Sequence, residues 1–295
     1  AVGPMGPVAA PVSDHGTLVA GTIGAAADNG QGTEGVNPWL SRIIGSPSVF
    51  RPNMPATWGQ QLATIANLLL ALPDLRAVNN SYGLSSAYQT RDRVDNNVLD
   101  GSFNPTVLEF GEIDGDNDHT DFWFVDQNGD GVAQIAEIVA QEWPAIDVNT
   151  DGTSDTWSQV VAFYGNLYNT TLNALALLLK REFVIVASAG NAGANYNAVD
   201  NSPIANAAVQ FGGRFFAVQS LKNDGTVSAF SDSGGSIFAP GECIRGPEAN
   251  DMTAFDTDPT CAWRDGAGMV AVNPLYATNS GTSFAAPHVT GLATA

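Results

Sequence analysis

Residues 182–191 read "EFVIVASAGN". An apolar run without polar alternation, closed by small residues, is what a strand buried on both faces looks like, and such strands belong to parallel sheets covered by helices. The flanks agree. Ahead of it, roughly 157–180 reads as a long helix; behind it, "RFFAVQSL" (214–221), "TVSAFSDSG" (226–234) and "SIFAP" (236–240) read as short strands broken by Gly or Asn-Asp-Gly turns. Upstream, "WGQQLATIANLLLAL" (58–72) reads as a helix stopped by Pro73, and "RAVNNSYG" (76–83) as a short strand. "WLSRIIGSPSVF" (39–50) reads as a strand running into a loop, and Leu18, Val19, Thr22 and Ile23 set a helical period over 16–27. Alternating strand and helix predicts an α/β fold in three layers: a mostly parallel β-sheet with helices on both faces.

The chain has 295 residues, 44% of them hydrophobic, enough for one large core or a core with an inserted piece. No uninterrupted apolar stretch reaches the length of a membrane span. The start, "AVGPMGPVAAP", has no basic segment ahead of an apolar one, so no signal peptide is expected there; it reads as a flexible lead-in or a cut through a longer chain. Eleven basic residues against 30 acidic give a net charge of −19, which repels a polyanion and argues against nucleic acid as a partner. Thirteen of those acids lie within 109–155, which holds no Lys or Arg, leaving 17 acids against 11 bases elsewhere. The acidity is local.

That block sits in 85–156, which interrupts the strand–helix alternation and reads as an insertion. Within it, "DQNGDGVAQIAE" (126–137) follows the twelve-residue calcium loop: Asp126, Asn128 and Asp130 at positions 1, 3 and 5, Gly131 for the turn, the Val132 carbonyl at 7, Gln134 at 9 and Glu137 at 12. "DGDNDHTD" (114–121) and "DVNTDGTSD" (147–155) carry shorter versions of the same spacing, through Asp114, Asp116 and Asp118 and through Asp147, Asn149, Asp151 and Asp155. Crowded carboxylates repel unless a divalent cation neutralises them. The expected cofactor is a structural calcium that folds an insert with little core of its own; the competing reading is a solvated acidic loop.

Two cysteines, Cys243 and Cys261, lie in one loop-like region. Their spacing suits a disulfide closing a loop of about 19 residues, worth roughly 3 kcal/mol on the chain-entropy model. A reduced pair in a cytosolic protein is the alternative; an extracellular location favours the bridge.

Three short stretches carry chemistry. In "PVSDHGTLVAGTIGA" (11–25), His15 stands at a helix start, as a general base would. In "NSGTSFAAPHVTGLATA" (279–295), Ser283 opens a helix of small residues, where the macrodipole and free N–H groups favour developing negative charge, and Pro287 is expected in the first turns, where its missing N–H matters least. In "VASAGNAG" (186–193), Asn191 follows the buried strand in a Gly-flanked loop, from which its amide can donate to an oxyanion. Taken singly, a serine is usually a helix cap, a histidine structural and an asparagine a turn former.

Together, "HGTLVAGTIGA", "GVNP" (35–38), "NNSYG" (79–83), "VIVASAGN", "FSDSG" with "FAPGE" (230–242) and "SGTSFAAPHVTG" resemble the subtilisin-like serine proteases, over about 1–84 and 157–295 but not the acidic insert. The resemblance implies a subtilisin-like peptidase core on those two segments, with 85–156 inserted. It implies an endopeptidase acting on polypeptide substrates, with His15 as base, Ser283 as nucleophile and Asn191 as oxyanion donor. Ser81, Tyr82 and Gly83, with Ala189 and Gly190, would hold the substrate backbone and line the first specificity pocket. The family's third triad member, an aspartate on a strand some thirty or more residues before the histidine, has no counterpart here, and Asp14 is too close along the chain to reach Nδ1 of His15. The chain is therefore expected to be the excised core of a longer secreted or cell-surface precursor, one with a signal peptide and a pro-segment acting as intramolecular inhibitor or chaperone. By itself it is expected to be nearly inactive. A catalytically inactive calcium-binding or adhesion module on the same fold is the alternative from another class, and an acidic surface protein from a salty environment accounts for the charge but not the motifs.

Overall fold

The computed structural model describes residues 14–29, 33–39, 42–45, 55–83, 110–111, 122–124, 138–140, 148, 150, 152, 155, 157–247 and 276–295. Along the chain these form α1 (Asp14–Gly24), α2 (Pro55–Ala71), β1 (Ala77–Asn80), β2 (Phe110–Gly111), β3 (Phe122–Phe124), β4 (Ile138–Ala140) and α3 (Trp157–Leu179). There follow β5 (Val184–Ser188), α4 (Pro203–Gln210), β6 (Phe215–Leu221), β7 (Ile237–Pro240), β8 (Ile244–Pro247), β9 (Tyr276–Asn279) and α5 (Thr282–Ala293).

The main sheet has the order β1-β5-β6-β7 and is parallel throughout, with Ala77 opposite Val184, Ile185 opposite Phe215 and Val218 opposite Ile237. The run that suggested it behaves as a two-faced strand. Ile185 and Ala187 point into a core built with Leu62, Ile65 and Leu69 of α2, Tyr168 and Leu172 of α3, and Ile204 and Ala205 of α4. Val186, one residue out of phase, points the other way and packs with Val218 and Ala239 against Ala285 and Ala286 of α5. The fold is the expected three-layer α/β arrangement. Its closely packed second face explains the small residues of α5: alanines let the helix lie against the strands.

Two expected strands do not form among the described residues. The 226–234 stretch makes only isolated bridges, Val227 with Leu221 and Ser233 with Asn197. Its hydroxyls compete with a ladder: the Ser220 N–H donates to Ser231 Oγ at 3.1 Å, and the Ser220 and Ser228 hydroxyls bond each other at 2.8 Å. Residues 42–45 of the 39–50 stretch are exposed and have no regular structure.

Inside the acidic segment, β2, β3 and β4 form an antiparallel sheet of their own, with Phe110 opposite Trp123 and Phe122 opposite Ala140. The calcium-loop residues Asp126, Asn128, Asp130, Val132, Gln134 and Glu137 lie outside the described residues, as do Asp114, Asp116, Asp118, Asp147, Asn149 and Asp151. Asp155 is described: it is buried, and its Oδ2 accepts from the Val148 N–H at 2.6 Å. Among the described residues no group of three His, Cys, Asp or Glu could hold a metal, and no helix is long and apolar enough to cross a membrane. Cys243 is disulfide-bonded, and Cys261 lies outside the described residues.

Candidate active site

The N-terminus of α5 is where the chemistry-bearing segments meet. β8 and β9 pair antiparallel, Ile244 opposite Asn279, and deliver the chain to that helix. Gly281 precedes it and supplies no side-chain cap. The cap comes from 91 residues away instead: Asn191 Oδ1 accepts from the Thr282 N–H at 2.8 Å and from the Thr282 hydroxyl at 2.9 Å. Because a backbone N–H needs an acceptor, these contacts fix which end of the Asn191 amide is oxygen. Its Nδ2 therefore turns away from Thr282, and among the described residues it has no partner; a Cβ built on Gly281 would lie 3.5 Å from it.

Thr282 also binds the loop that carries Asn191, since its Oγ1 accepts from the Gly190 N–H at 3.1 Å. Gly190 has φ +116°, and Ala189 before it is fully buried and donates to Val218 O at 3.0 Å.

Ser283 follows Thr282 in the first turn, where the backbone N–H has no acceptor within the helix. It is 9% exposed, and its hydroxyl donates to Ser81 O at 3.2 Å. In return Ser81 Oγ donates to Ser283 O at 2.7 Å. The second bond has a cause. Pro287 falls within the first two turns, as expected, but sits sixth in α5, where its missing N–H does matter: it leaves the Ser283 carbonyl without its helical donor. Ser81 replaces that donor. Asn79 holds Ser81 in turn, its Nδ2 donating to Ser81 Oγ at 2.9 Å while its Oδ1 accepts from Thr290 at 2.9 Å.

Tyr82 and Gly83 continue this segment. The Tyr82 hydroxyl donates to Gln61, burial pushes its phenol above the ordinary range, and its carbonyl accepts from Ser188 Oγ at 3.3 Å. Gly83 lies so close to Asn201 that a Cβ there would come within 2.2 Å of the amide. Asn201 Nδ2 is spent on Ser188 O at 2.9 Å, and its Oδ1 is buried without a partner among the described residues.

His15 stands in the first turn of α1. Leu18, Val19 and Ile23 of that helix pack on Phe284 of α5 and on Ile244, and a Cβ on Gly21 would strike Pro247 of β8 at 2.2 Å. This close packing brings the imidazole onto the Phe284 ring, 5.3 Å between centroids and tilted by 53°. Burial holds its pKa below the ordinary 6.5, so the ring is neutral, and able to take a proton, at neutral pH. Among the described residues no carboxylate bonds it.

The residues singled out in the sequence, His15, Ser81, Ala189, Gly190, Asn191 and Ser283, thus gather about one helix end, on four separate elements. Two neighbours were not singled out. Thr282 anchors Asn191 twice, and its hint was its place beside Ser283 in Gly-Thr-Ser. Asp232 is 1% exposed and accepts from the Ala192 and Gly193 N–H groups at 2.6 and 3.0 Å. Its trace in the sequence is its place in "FSDSG" (230–234), one of the stretches that carry the resemblance. Among curated proteins none matches the chain significantly. The family model described as the Subtilase family matches residues 6–295. The chain belongs to the subtilase family of serine peptidases.

Proposed function

We propose that the protein is a secreted serine endopeptidase in which Ser283 is the nucleophile, His15 the general base and Asn191 the oxyanion donor. Its family makes it a serine peptidase acting on polypeptides; the roles are our reading of the site. Ser283 Oγ attacks the scissile carbonyl carbon as its proton passes to the neutral His15. The oxyanion accepts from Asn191 Nδ2 and from the Ser283 N–H at the helix N-terminus. Collapse expels the amine, which takes the proton from His15, and water then releases the acyl group by the same steps in reverse.

The observation that carries the reading is the Asn191 amide. Its oxygen is occupied by Thr282, and its two N–H groups, beside the residue that precedes Ser283, have no partner among the described residues. His15 lacks a carboxylate partner among the described residues. A polypeptide without that partner would turn over roughly 10⁴-fold more slowly than one with it.

The disulfide at Cys243 supports an oxidising, extracellular location. The Asp126–Glu137 spacing supports a structural calcium in the insert, and a pro-segment in the precursor completes the proposal. Hydrolysis of an internally quenched peptide by the intact protein tests the reading. We expect turnover that disappears in Ser283→Ala and falls sharply in His15→Ala. Absence of turnover in the intact protein, with calcium still bound, would favour the non-catalytic module.

A further inference from the structure

Asn191 lies between two glycines of positive φ, Gly190 at +116° and Gly193 at +104° with Ala192 intervening. Such a loop has much conformational freedom, whereas an oxyanion donor is effective only when it is held in place before the charge develops. Thr282 fixes the Asn191 side chain; the question is what fixes the backbone beneath it. We propose that Asp232 is a positioning residue for the oxyanion contact, gripping the main chain on both sides of Asn191 and tying it to the interior strand β6. This rests on the peptidase reading above.

Three hydrogen bonds make the grip. The Asp232 N–H donates to Gly190 O at 3.1 Å, on the N-terminal side of Asn191. Its Oδ1 accepts from Ala192 N at 2.6 Å and Gly193 N at 3.0 Å, on the C-terminal side. Asp232 is itself anchored: its carbonyl accepts from Gln219 Nε2 at 2.8 Å, and Gln219 belongs to β6. The other end of Gln219 accepts from Gly235 N at 3.1 Å, and Ser231 Oγ accepts from the Ser220 N–H at 3.1 Å, so both flanks of Asp232 are bound to that strand.

Space at the site is matched to the carboxylate. A Cβ on Gly190 would lie 2.0 Å from Asp232 Oδ2. Among the described residues the ion pair is Arg214 with Glu182, and no cation offsets Asp232, which is 1% exposed. An unpaired buried carboxylate is expensive. One that spends its bonds on the residues around an oxyanion donor has a use that accounts for it.

The test is steady-state hydrolysis of a peptide anilide by the intact protein, together with Asp232→Ala, Asp232→Asn, Asn191→Ala and the Asp232→Ala/Asn191→Ala pair. Asp232→Ala should lower kcat about ten- to hundredfold with KM within about twofold, short of the roughly 10²–10³-fold for losing the donor itself. Asp232→Asn keeps an acceptor at Oδ1 and should recover most of that loss. On the Asn191→Ala background, removing Asp232 should change kcat by less than about threefold, because the group it positions is gone. Asp232→Ser, which keeps a short acceptor, stands in if Asp232→Ala does not fold, with kcat down about tenfold and KM unmoved.

Wild-type kcat in the acceptor-free variant, a loss carried by KM, or an equal loss on the Asn191→Ala background would overturn the proposal alone. Wild-type protein that hydrolyses nothing would overturn the peptidase reading and this inference with it.

Discussion

Ser81 and Ser283, 202 residues apart, exchange hydrogen bonds: Ser81 Oγ donates to Ser283 O at 2.7 Å, and Ser283 Oγ donates to Ser81 O at 3.2 Å. The first bond supplies the donor that Pro287 removes from the helix. Replacing Ser81 by alanine leaves a buried carbonyl unsatisfied, and stability should fall by about 1–3 kcal/mol. Denaturant unfolding of Ser81→Ala checks this; an unchanged midpoint would mean that water or a helix shift satisfies Ser283 O instead.

Gly190 and Gly213 separate backbone strain from crowding. Both have positive φ, but a Cβ on Gly190 meets Asp232 Oδ2 at 2.0 Å, while one on Gly213 meets nothing within 4 Å. Gly213→Ala should destabilise by about 1 kcal/mol, from conformation alone. Gly190→Ala should exceed about 3 kcal/mol and abolish hydrolysis, because the loop beneath Asn191 must move. Equal effects in paired thermal melts and peptide assays would contradict this.

Asp232 gives the fold a pH signature. Burial raises its carboxyl from 3.8 to about 7, against the opposing pull of the Ala192 and Gly193 N–H groups, and no charged side chain contributes to the shift. The folded chain therefore holds a proton, between about 4 and about 7, that the unfolded chain has released, and stability from this group falls as pH rises through that window. His15 works the other way: its folded pKa lies below 6.5, so its contribution is lost on acidification. Comparison with Asp232→Asn cancels the histidine. Urea melts should show wild type gaining on the variant as pH is lowered from about 7 to about 4; a difference that is flat, or that grows with pH, would contradict the burial of this carboxyl.

Chelation addresses the acidic insert. With EDTA the melting temperature should drop and 110–156 should become open to added trypsin-free endoproteinases that cut at acidic residues, with calcium restoring both. An identical melting curve with and without chelator would reject a structural metal.

The parts of this molecule legible in the sequence are those governed by local pattern. "VIVA" carries no polar position, and with Ser188 it became the interior strand β5; 157–180 and 58–72 became α3 and α2 within a few residues. His15, Asn191 and Ser283 were readable because each stands at a junction between an element and a loop. "TVSAFSDSG" misled because its apolar alternation imitates a strand, whereas its hydroxyls and Asp232 bond β6 and the Asn191 loop. The duties of Thr282 and Asp232 are contacts across 91 and some 40 residues, which leave no local periodicity. The cost of Pro287 was hidden for a related reason: the donor that compensates for its missing N–H is 202 residues from Ser283, at Ser81 just after β1.

The central claim is that residues 15, 191 and 283 form one hydrolytic site. Its most direct test is a fluorophosphonate probe followed by peptide mapping of the intact protein. A single adduct on Ser283, slowed in His15→Ala and in Asn191→Ala and absent from Ser283→Ala, is the predicted result. An unlabelled Ser283 in folded protein, or labelling at a rate indifferent to His15 and Asn191, would contradict it.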